Sequence, residues 1–382
     1  MRIYHINLQG GGVGSYRHWT PARALERLGH SVWYRYDTGF SLDDQGGVDA
    51  FMMQAAADAD IIHTGFTTHI PFVQLLAATR NYAKLALGKD LPIIVDCDDD
   101  LLHVPSYNTS FNAYTGSAES RRVALFSLRL GDGVSVSTSP LVPLYDDFNY
   151  HISHLPNCVD PADWESGIVD PRRASSSDVR IVFAGGIGRK ADLDSIRPAL
   201  ESVMRQRPAV RLFFMAMMPD WVAEQWALDP VNPAANRAFF ISPTDITTYR
   251  RVMTWIGPDI CIAPVVSNEF NAAKSSIKVL ESPFYGAASV CSDFETYTEV
   301  PAEATMKAET TYEWTESLLA LVDDPELRKK KVATCKQWAL DCKHIDQHVS
   351  KWVDCYEAAR ARPVIDSDGN GMKEQSRIIR PG

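Results

Sequence analysis

Three groups of residues in this 382-residue chain have types and spacing suited to chemistry. The first is GGGVG at 10–14, directly behind the apolar opening MRIYHINL. Clustered glycines let a backbone turn sharply and expose its N–H groups, and the positive end of a following helix adds to them. Such a loop suits an anion, most often a phosphate, although a tight turn with no ligand would look the same. The spacing is not the G-x-G-x-x-G of a dinucleotide site. The second group is VDCDDDLLHVP at 95–105, where Asp96, Asp98, Asp99 and Asp100 follow a strand-like run. A D-x-D pair invites a metal, clustered carboxylates can bind a hydroxylated ligand or shape a cleft, and Asp99 or Asp100 could cap a helix. The third is His63 and His69 around the end of ADIIHTG, with Ser137 and Thr138 in SVSTSP. A lone histidine is more often structural than functional, and a hydroxyl before Pro140 can simply start a turn. No Ser-His-Asp or Cys-His set has a supporting motif. The seven scattered cysteines show no CxxC spacing, so free thiols in a reducing, cytoplasmic compartment fit better than disulfides or a zinc site.

These groups need a scaffold, and the hydrophobic pattern supplies one. Strand-like runs (RIYHINL, SVWYRY, ADIIHTG, LPIIVDCD, GVSVSTS, HISHLPN, RIVFAGG, VRLFFMAM, AFFISP, DICIAPV, ASVCSD) alternate with helical patterns at 49–58, 72–87, 119–130, 192–206, 245–255, 274–285 and 312–322. That rhythm predicts parallel sheets covered by helices on both faces. A stretch poor in apolar residues, ESGIVDPRRASSSDV at 165–179, reads as a linker. Strand, glycines and helix then begin again in VRIVFAGGIGRKADL. The expected architecture is α/β: two Rossmann-like, doubly wound parallel-sheet domains facing a cleft, with a helical end and an amphipathic last segment. Within the first helix Pro21 predicts a kink or restart, Thr20 a cap for the restarted segment and Gly29 a left-handed end. The tail carries DSDGNG, which copies the start of a calcium loop, but the twelfth position is Arg377 where a glutamate is needed, so a flexible polar tail is expected.

Composition excludes some functions. The chain is 45% hydrophobic and 23% charged, as an ordinary globular protein is, and its length favours two domains. A net charge of −10 argues against a dedicated nucleic-acid binder. Arg121, Arg122 and Arg129 read as a solvated helix face. No apolar stretch is long enough for a membrane span, and the opening residues lack the pattern of a signal peptide.

Several segments, in order, resemble family 4 glycosyltransferases. GGGVGSYRHWTPARALERLGHSV is similar to that family's opening loop and helix, SHLPNCVDPADW (153–164) to its PNGVD segment, and IVFAGGIGRKADLD (181–194) to the first strand and loop of its donor domain. FNAAKSSIKVLESPFYGAASVCSD (270–293) is similar to its donor-binding helix and next strand. The nearest likeness is to a bacterial and bacteriophage subgroup with YR…PA.AL…GH, DxDDDL and FN.AKS..K.LE. The resemblance implies the GT-B fold. It implies an acceptor-side domain over 1–165, a donor domain over 166–340, a helix over 341–361 packing back on the first domain, and a tail over 362–382. It also implies transfer of a sugar from a nucleotide diphosphate sugar, with retention at the anomeric carbon, no metal and no further cofactor.

Carried over position by position, Glu281 matches the glutamate that holds the donor ribose. The family's partner glutamate is replaced by Ala273, its arginine by Gly186 and its lysine by Ala191. A diphosphate leaving group needs cations, and Arg189, Lys190, Lys274 and Lys278 are the substitutes at hand. Lys274, Arg189 and His63 are accordingly the expected catalytic residues. Gly12, Val13, Gly14, Gly186, Lys190, Asn271, Ser275, Lys278 and Glu281 are expected at the donor, and Tyr16, Arg17, His69, Asp98 and Asp99 on the acceptor side. The acceptor is a glycan, small molecule or lipid-linked group. Two alternatives are transfer to a hydroxymethylated base in DNA and a non-catalytic nucleotide-sugar or glycan binder.

Overall fold

A computed structural model describes residues 1–8, 11–36, 48–149, 151–165, 168–171, 173, 176–222 and 237–361. The chain forms two units, one of residues 1–106, 110–158 and 345 onward, the other of 107–109 and 159–344.

The first unit runs β1 (Arg2–Asn7), a π-helical turn (Gly14–Trp19), α1 (Thr20–Arg27), β2 (Ser31–Tyr36), α2 (Ala50–Asp58), β3 (Ile61–Gly65), α3 (Ile70–Leu87), β4 (Ile93–Cys97), α4 (Phe111–Tyr114), α5 (Ala118–Leu130), β5 (Gly133–Val136), α6 (Leu141–Tyr145) and β6 (Ile152–His154). The second runs β7 (Val179–Ala184), α7 (Lys190–Ser195), α8 (Arg197–Gln206), β8 (Val210–Met215), β9 (Ala238–Ile241), α9 (Ile246–Ile256), β10 (Ile260–Ala263), α10 (Glu269–Ala272), α11 (Ile277–Glu281), β11 (Ala288–Ser292), β12 (Met306–Ala308), α12 (Thr311–Asp323) and α13 (Pro325–Cys342). The chain then returns to the first unit as α14 (Ile345–Arg360).

Both sheets have six strands, in the orders β2-β1-β3-β4-β5-β6 and β12-β11-β10-β7-β8-β9, and every pairing is parallel. The order reverses direction between β1 and β3 in the first sheet and between β7 and β10 in the second. A doubly wound sheet opens a ligand crevice at such a point, outside the carboxyl ends of its strands. The inner strands β3, β4 and β5 are buried along nearly their whole length, which is why they read as continuous apolar runs.

Helix ends follow local chemistry. Asp49, Ser117, Asp245 and Asp324 each accept backbone N–H bonds at a helix start, and Thr310 with Glu313 forms a reciprocal capping box. Gly88 and Gly257 close α3 and α9 in the left-handed region. Gly29, at φ +85°, follows the last turn of α1 as its sequence suggested.

The domain boundaries differ from those expected at 165/166 and 340/341. The chain enters the second unit at Val159, and Trp164 packs in that unit's core with Tyr249, Tyr285 and Met253. The stretch read as a linker therefore starts after a buried anchor. At the other end α14 begins at Ile345 and lays Val349, Trp352, Cys355 and Tyr356 against Ile3, Leu25, Ile61 and Ile94. The tail expected over 362–382, with its calcium-like DSDGNG, lies outside the described residues.

Trp352 is fully buried in that first-unit core. Trp352→Ala should lower stability by about 3–5 kcal/mol, the range for deleting a large aromatic from a packed interior. Urea denaturation followed by far-UV circular dichroism checks this, and a loss below about 1 kcal/mol would mean that α14 is not part of the core.

Candidate functional site

In the first unit the glycine loop leads into a π-helical turn. Gly11 has φ +80°, which only glycine adopts without strain, and its carbonyl accepts the Ser15 N–H at 3.1 Å. Gly12 is exposed, and a Cβ there would meet nothing within 4 Å, so its lack of a side chain leaves open space beside the backbone. Val13 is partly exposed and Gly14 buried. Gly10, the first of the cluster, lies outside the described residues. The turn widens to the π form over Gly14–Trp19, and α1 starts at Thr20 with Pro21 in its first turn. The break expected from Pro21 is thus a change of helix type. Thr20 has helical backbone angles and is not a cap, because the helix runs through it.

The wide turn points Arg17 and His18 into the interior. Arg17 is fully buried and forms a two-pronged ion pair with Asp96 at the end of β4, through Nη2–Oδ1 at 2.7 Å and Nε–Oδ2 at 2.9 Å. Its Nη1 donates to the Leu155 carbonyl and, at 3.1 Å, to Asn157 Oδ1. Burial alone would raise the Asp96 carboxyl, but the Arg17 guanidinium outweighs it and holds the group far below its usual range. Ser135 Oγ, on β5, donates to Asp96 Oδ1 at 2.5 Å. These contacts correct the acceptor-side reading of Arg17, whose charge and donors are spent inside the protein. Tyr16 is likewise buried, at 4% exposure, and turns into the core rather than toward a ligand.

The acidic run divides by depth. Asp96 is internal. Asp98 and Asp99 sit partly exposed in turns just past the carboxyl end of β4. Asp98 Oδ1 accepts Asn157 Nδ2 at 2.9 Å, and the Asp98 carbonyl accepts Ser137 Oγ at 2.7 Å. Burial and the neighbouring Asp99 carboxylate push the Asp98 carboxyl up. Asp100 is buried and pairs with His103 Nδ1 at 3.0 Å. Residues 98–103 form turns, so the helix-capping reading of Asp99 and Asp100 does not hold.

The two histidines also separate. His69 is exposed at the start of α3. His63, expected to be catalytic, is fully buried on β3, with Nδ1 2.7 Å from Tyr356 Oη and Nε2 3.3 Å from Ser135 Oγ. It belongs to an internal polar cluster with His5 and His18, two residues the sequence reading missed. Their only signal was a polar residue inside an apolar strand and one beside Arg17. Burial, the largest influence, holds the imidazoles of His5 and His18 below their usual range, His18 at about 3.

In the second unit the candidates gather around the carboxyl ends of β7 and β10. Gly185 is required there: a Cβ would lie 2.9 Å from the Phe183 ring and 3.2 Å from Arg189 Cγ. Gly186 is exposed, with open space where a side chain would be. Arg189 pairs with Asp192 (Nε–Oδ2 3.0 Å) and donates to the Pro264 carbonyl at 3.1 Å, with 23% of its side chain exposed. Asp192, not anticipated from sequence, accepts Val266 N at 2.7 Å and Asn271 Nδ2 at 3.1 Å. Asn271 Nδ2 also donates to the Val266 carbonyl at 2.8 Å. Asn271 thereby fixes the loop after β10, and its donors are not turned to a ligand as expected.

Glu281 is 1% exposed, and its Oε1 accepts Tyr249 Oη at 2.5 Å and Lys278 Nζ at 2.8 Å. Lys278, expected among the donor cations, is the counter-ion of Glu281 one turn away, with its ammonium also 5.2 Å from the centre of the Tyr249 ring. Lys274 lies partly exposed with Nζ 4.2 Å from the centre of the Phe270 ring. Ser275 is partly exposed just before α11. Lys190 is paired with Asp194 at 2.7 Å and faces Asp220 at 3.8 Å, as Arg189 is paired with Asp192.

No family model matches the sequence, and no curated protein matches it. Solved structures do match. Sucrose-phosphate synthase from Thermosynechococcus elongatus aligns with 94% of this chain and 99% of its own, at 12% identity and a TM-score of 0.61. Anabaena HepE, solved in complex with UDP-glucose, aligns over 93% and 99%, at 12% identity and 0.62. WaaG, a glycosyltransferase involved in lipopolysaccharide biosynthesis, aligns over 93% and 99%, at 14% identity and 0.58. The chain has the GT-B fold. In GT-B terms the two sheets described above are its paired Rossmann-like layers, each covered by helices.

Replacing Arg17 with Leu would leave Asp96 as a buried, unpaired carboxylate. Stability should fall by about 3–5 kcal/mol, and the double change Arg17→Leu, Asp96→Leu should recover part of that loss. Chemical denaturation of the three proteins checks the sign of the coupling; additive losses would show that the pair does not interact.

Proposed function

We propose that this protein is a glycosyltransferase that moves a sugar from a nucleotide diphosphate sugar to an acceptor hydroxyl, with retention of anomeric configuration and without a metal at the reacting centre. The observation that carries the reading is Glu281: a carboxylate buried at the end of α11, in a chain whose fold matches that of a protein solved with UDP-glucose. A buried carboxylate is costly unless its oxygens are satisfied. Lys278 and Tyr249 hold Oε1 in place, and we assign this fixed carboxylate to the paired hydroxyls of a ribose.

The chemistry of the remaining groups fits that ligand. Loss of a nucleoside diphosphate builds negative charge on the departing phosphate, so fixed positive groups lower the barrier. Arg189 is oriented by Asp192 and Pro264, and Lys274 precedes α11; both are assigned to the diphosphate, with the exposed Gly186 backbone at the start of the Arg189 turn. On the first unit Gly12 and Val13, His69, Asp98 and Asp99 sit at or beyond the carboxyl ends of parallel strands and are assigned to the sugar and acceptor. None of the described helices is long and apolar enough to cross a membrane. The seven cysteines are free and six are buried, which supports a reducing, cytoplasmic setting.

Thermal-shift titration with UDP, UDP-glucose and other nucleotide diphosphate sugars tests the reading: at least one should raise the melting temperature by a few degrees. Glu281→Ala should weaken UDP binding about tenfold or more, the effect of losing charge-assisted hydrogen bonds. Lys274→Ala should lower turnover about tenfold or more with donor affinity nearly unchanged. If no nucleotide diphosphate or sugar derivative binds, or if Glu281→Ala binds UDP as wild type does, the proposal fails.

A further inference from the structure

The buried histidines of the first unit have a geometry that packing alone does not require. His5 on β1 and His63 on β3 are direct neighbours in the parallel register, and His18 comes down from the π-helical turn. All three are 0% exposed, and among the described residues they are the one group of histidine, cysteine or carboxylate side chains whose candidate ligand atoms converge as a metal site would, within 4.8 Å of one another.

Three imidazoles on a tetrahedral ion, with metal–nitrogen bonds of about 2.0–2.1 Å, place their ligating nitrogens about 3.3–3.4 Å apart and their ring centres about 5.2 Å apart. Here His5 Nδ1 and His18 Nδ1 are 3.3 Å apart, and the three ring-centre separations are 4.8, 5.2 and 5.5 Å.

Two of the three outer nitrogens agree with that arrangement. A metal-bound histidine donates its other ring N–H to an oxygen, which fixes the tautomer. Tyr356 Oη, on α14, lies 3.2 Å from His5 Nε2 and 2.7 Å from His63 Nδ1, so one oxygen can accept from both rings. That leaves His5 Nδ1 on the inner side with His18 Nδ1, and His63 Nε2, which also lies 3.3 Å from Ser135 Oγ. His18 Nε2, the third outer nitrogen, has no hydrogen-bond partner, so the His18 tautomer is not set by an outer oxygen as those of His5 and His63 are. The nearest anion is Asp96, whose Oδ1 is 3.6 Å from His63 Nε2.

We propose that His5, His18 and His63 bind a zinc-like divalent ion inside the first unit, with the Asp96 carboxylate, already paired with Arg17, as the nearest anion. A set of three imidazole nitrogens suits zinc among the common biological metals. The site is closed, so the ion is structural: it ties β1, the π-helical turn and β3 together and, through Tyr356, orients α14. This inference is independent of the transferase reading, whose proposed chemistry takes place elsewhere without a metal.

The test uses full-length protein purified without a metal-affinity tag. Elemental analysis should give about one zinc per chain. Dialysis against a strong chelator should lower the melting temperature, and zinc should restore it, because an ion bound only by the folded state stabilises that state. His18→Ala should lose the ion. Because that variant could also misfold, the wild-type apoprotein reloaded with Co²⁺ provides a second readout: the intense visible absorption of a tetrahedral site is expected. Protein that purifies with less than about one-tenth equivalent of any transition metal, and whose melting temperature zinc leaves unchanged, would overturn the proposal and leave the three rings as a neutral hydrogen-bonded chain through Tyr356.

Discussion

The first unit is organised around one buried ion pair. Arg17 and Asp96 are 79 residues apart in sequence, and both are removed from water. Taking two charges into the interior costs several kcal/mol per ion unless the geometry is good and the remaining donors and acceptors are filled. Here they are: Arg17 also reaches Leu155 and Asn157, and Asp96 also receives Ser135. These partners lie after β1, at the end of β4, on β5 and just past β6. Apolar packing is non-directional and holds strands together without fixing the loops at their ends. A two-pronged ion pair is directional, and it sets the loops that carry Gly12, Asp98 and Asn157 relative to one another. The π-helical turn is part of the same device, because its wider spiral lets Arg17 and His18, adjacent in sequence, both face inward.

The second unit solves the same problem around an acid. Asp192 gathers Arg189 from the loop after β7 and Val266 and Asn271 from the segment after β10. The two loops that flank its point of reversed strand order are thus locked by one carboxylate. Glu281 is held separately by Lys278 and Tyr249, so the cation nearest to it is fixed in place before any ligand arrives.

Much of the scaffold was legible because inner parallel strands must be apolar on both faces. All eleven runs read as strands are strands. The twelfth, Met306–Ala308, is a short edge strand with two half-buried residues, too brief to leave a pattern. The helical stretch read over 274–285 is broken into α11 and a 3₁₀ turn at Pro283, where proline starts a new first turn. The site was legible only in outline. Glycines, acids and lysines marked the right loops, but residue type does not reveal a partner far along the chain. Arg17 and Asn271 looked like ligand-binding groups and are internal fasteners, while Asp192, Tyr249, His5 and His18 act through neighbours that no local spacing encodes.

The placement of α14 has a consequence for how the molecule comes into being. Tyr356 meets His5 across 351 residues of sequence, and Trp352 closes a core begun by Ile3 and Leu25. The second unit is almost wholly contained in one continuous stretch, residues 159–344. As the polypeptide leaves the ribosome, the later unit can therefore reach its native state while the earlier one still waits for its closing helix. Until that helix emerges, the apolar side chains it covers, among them Ile3, Leu25, Ile61 and Ile94, lack their last packing partner.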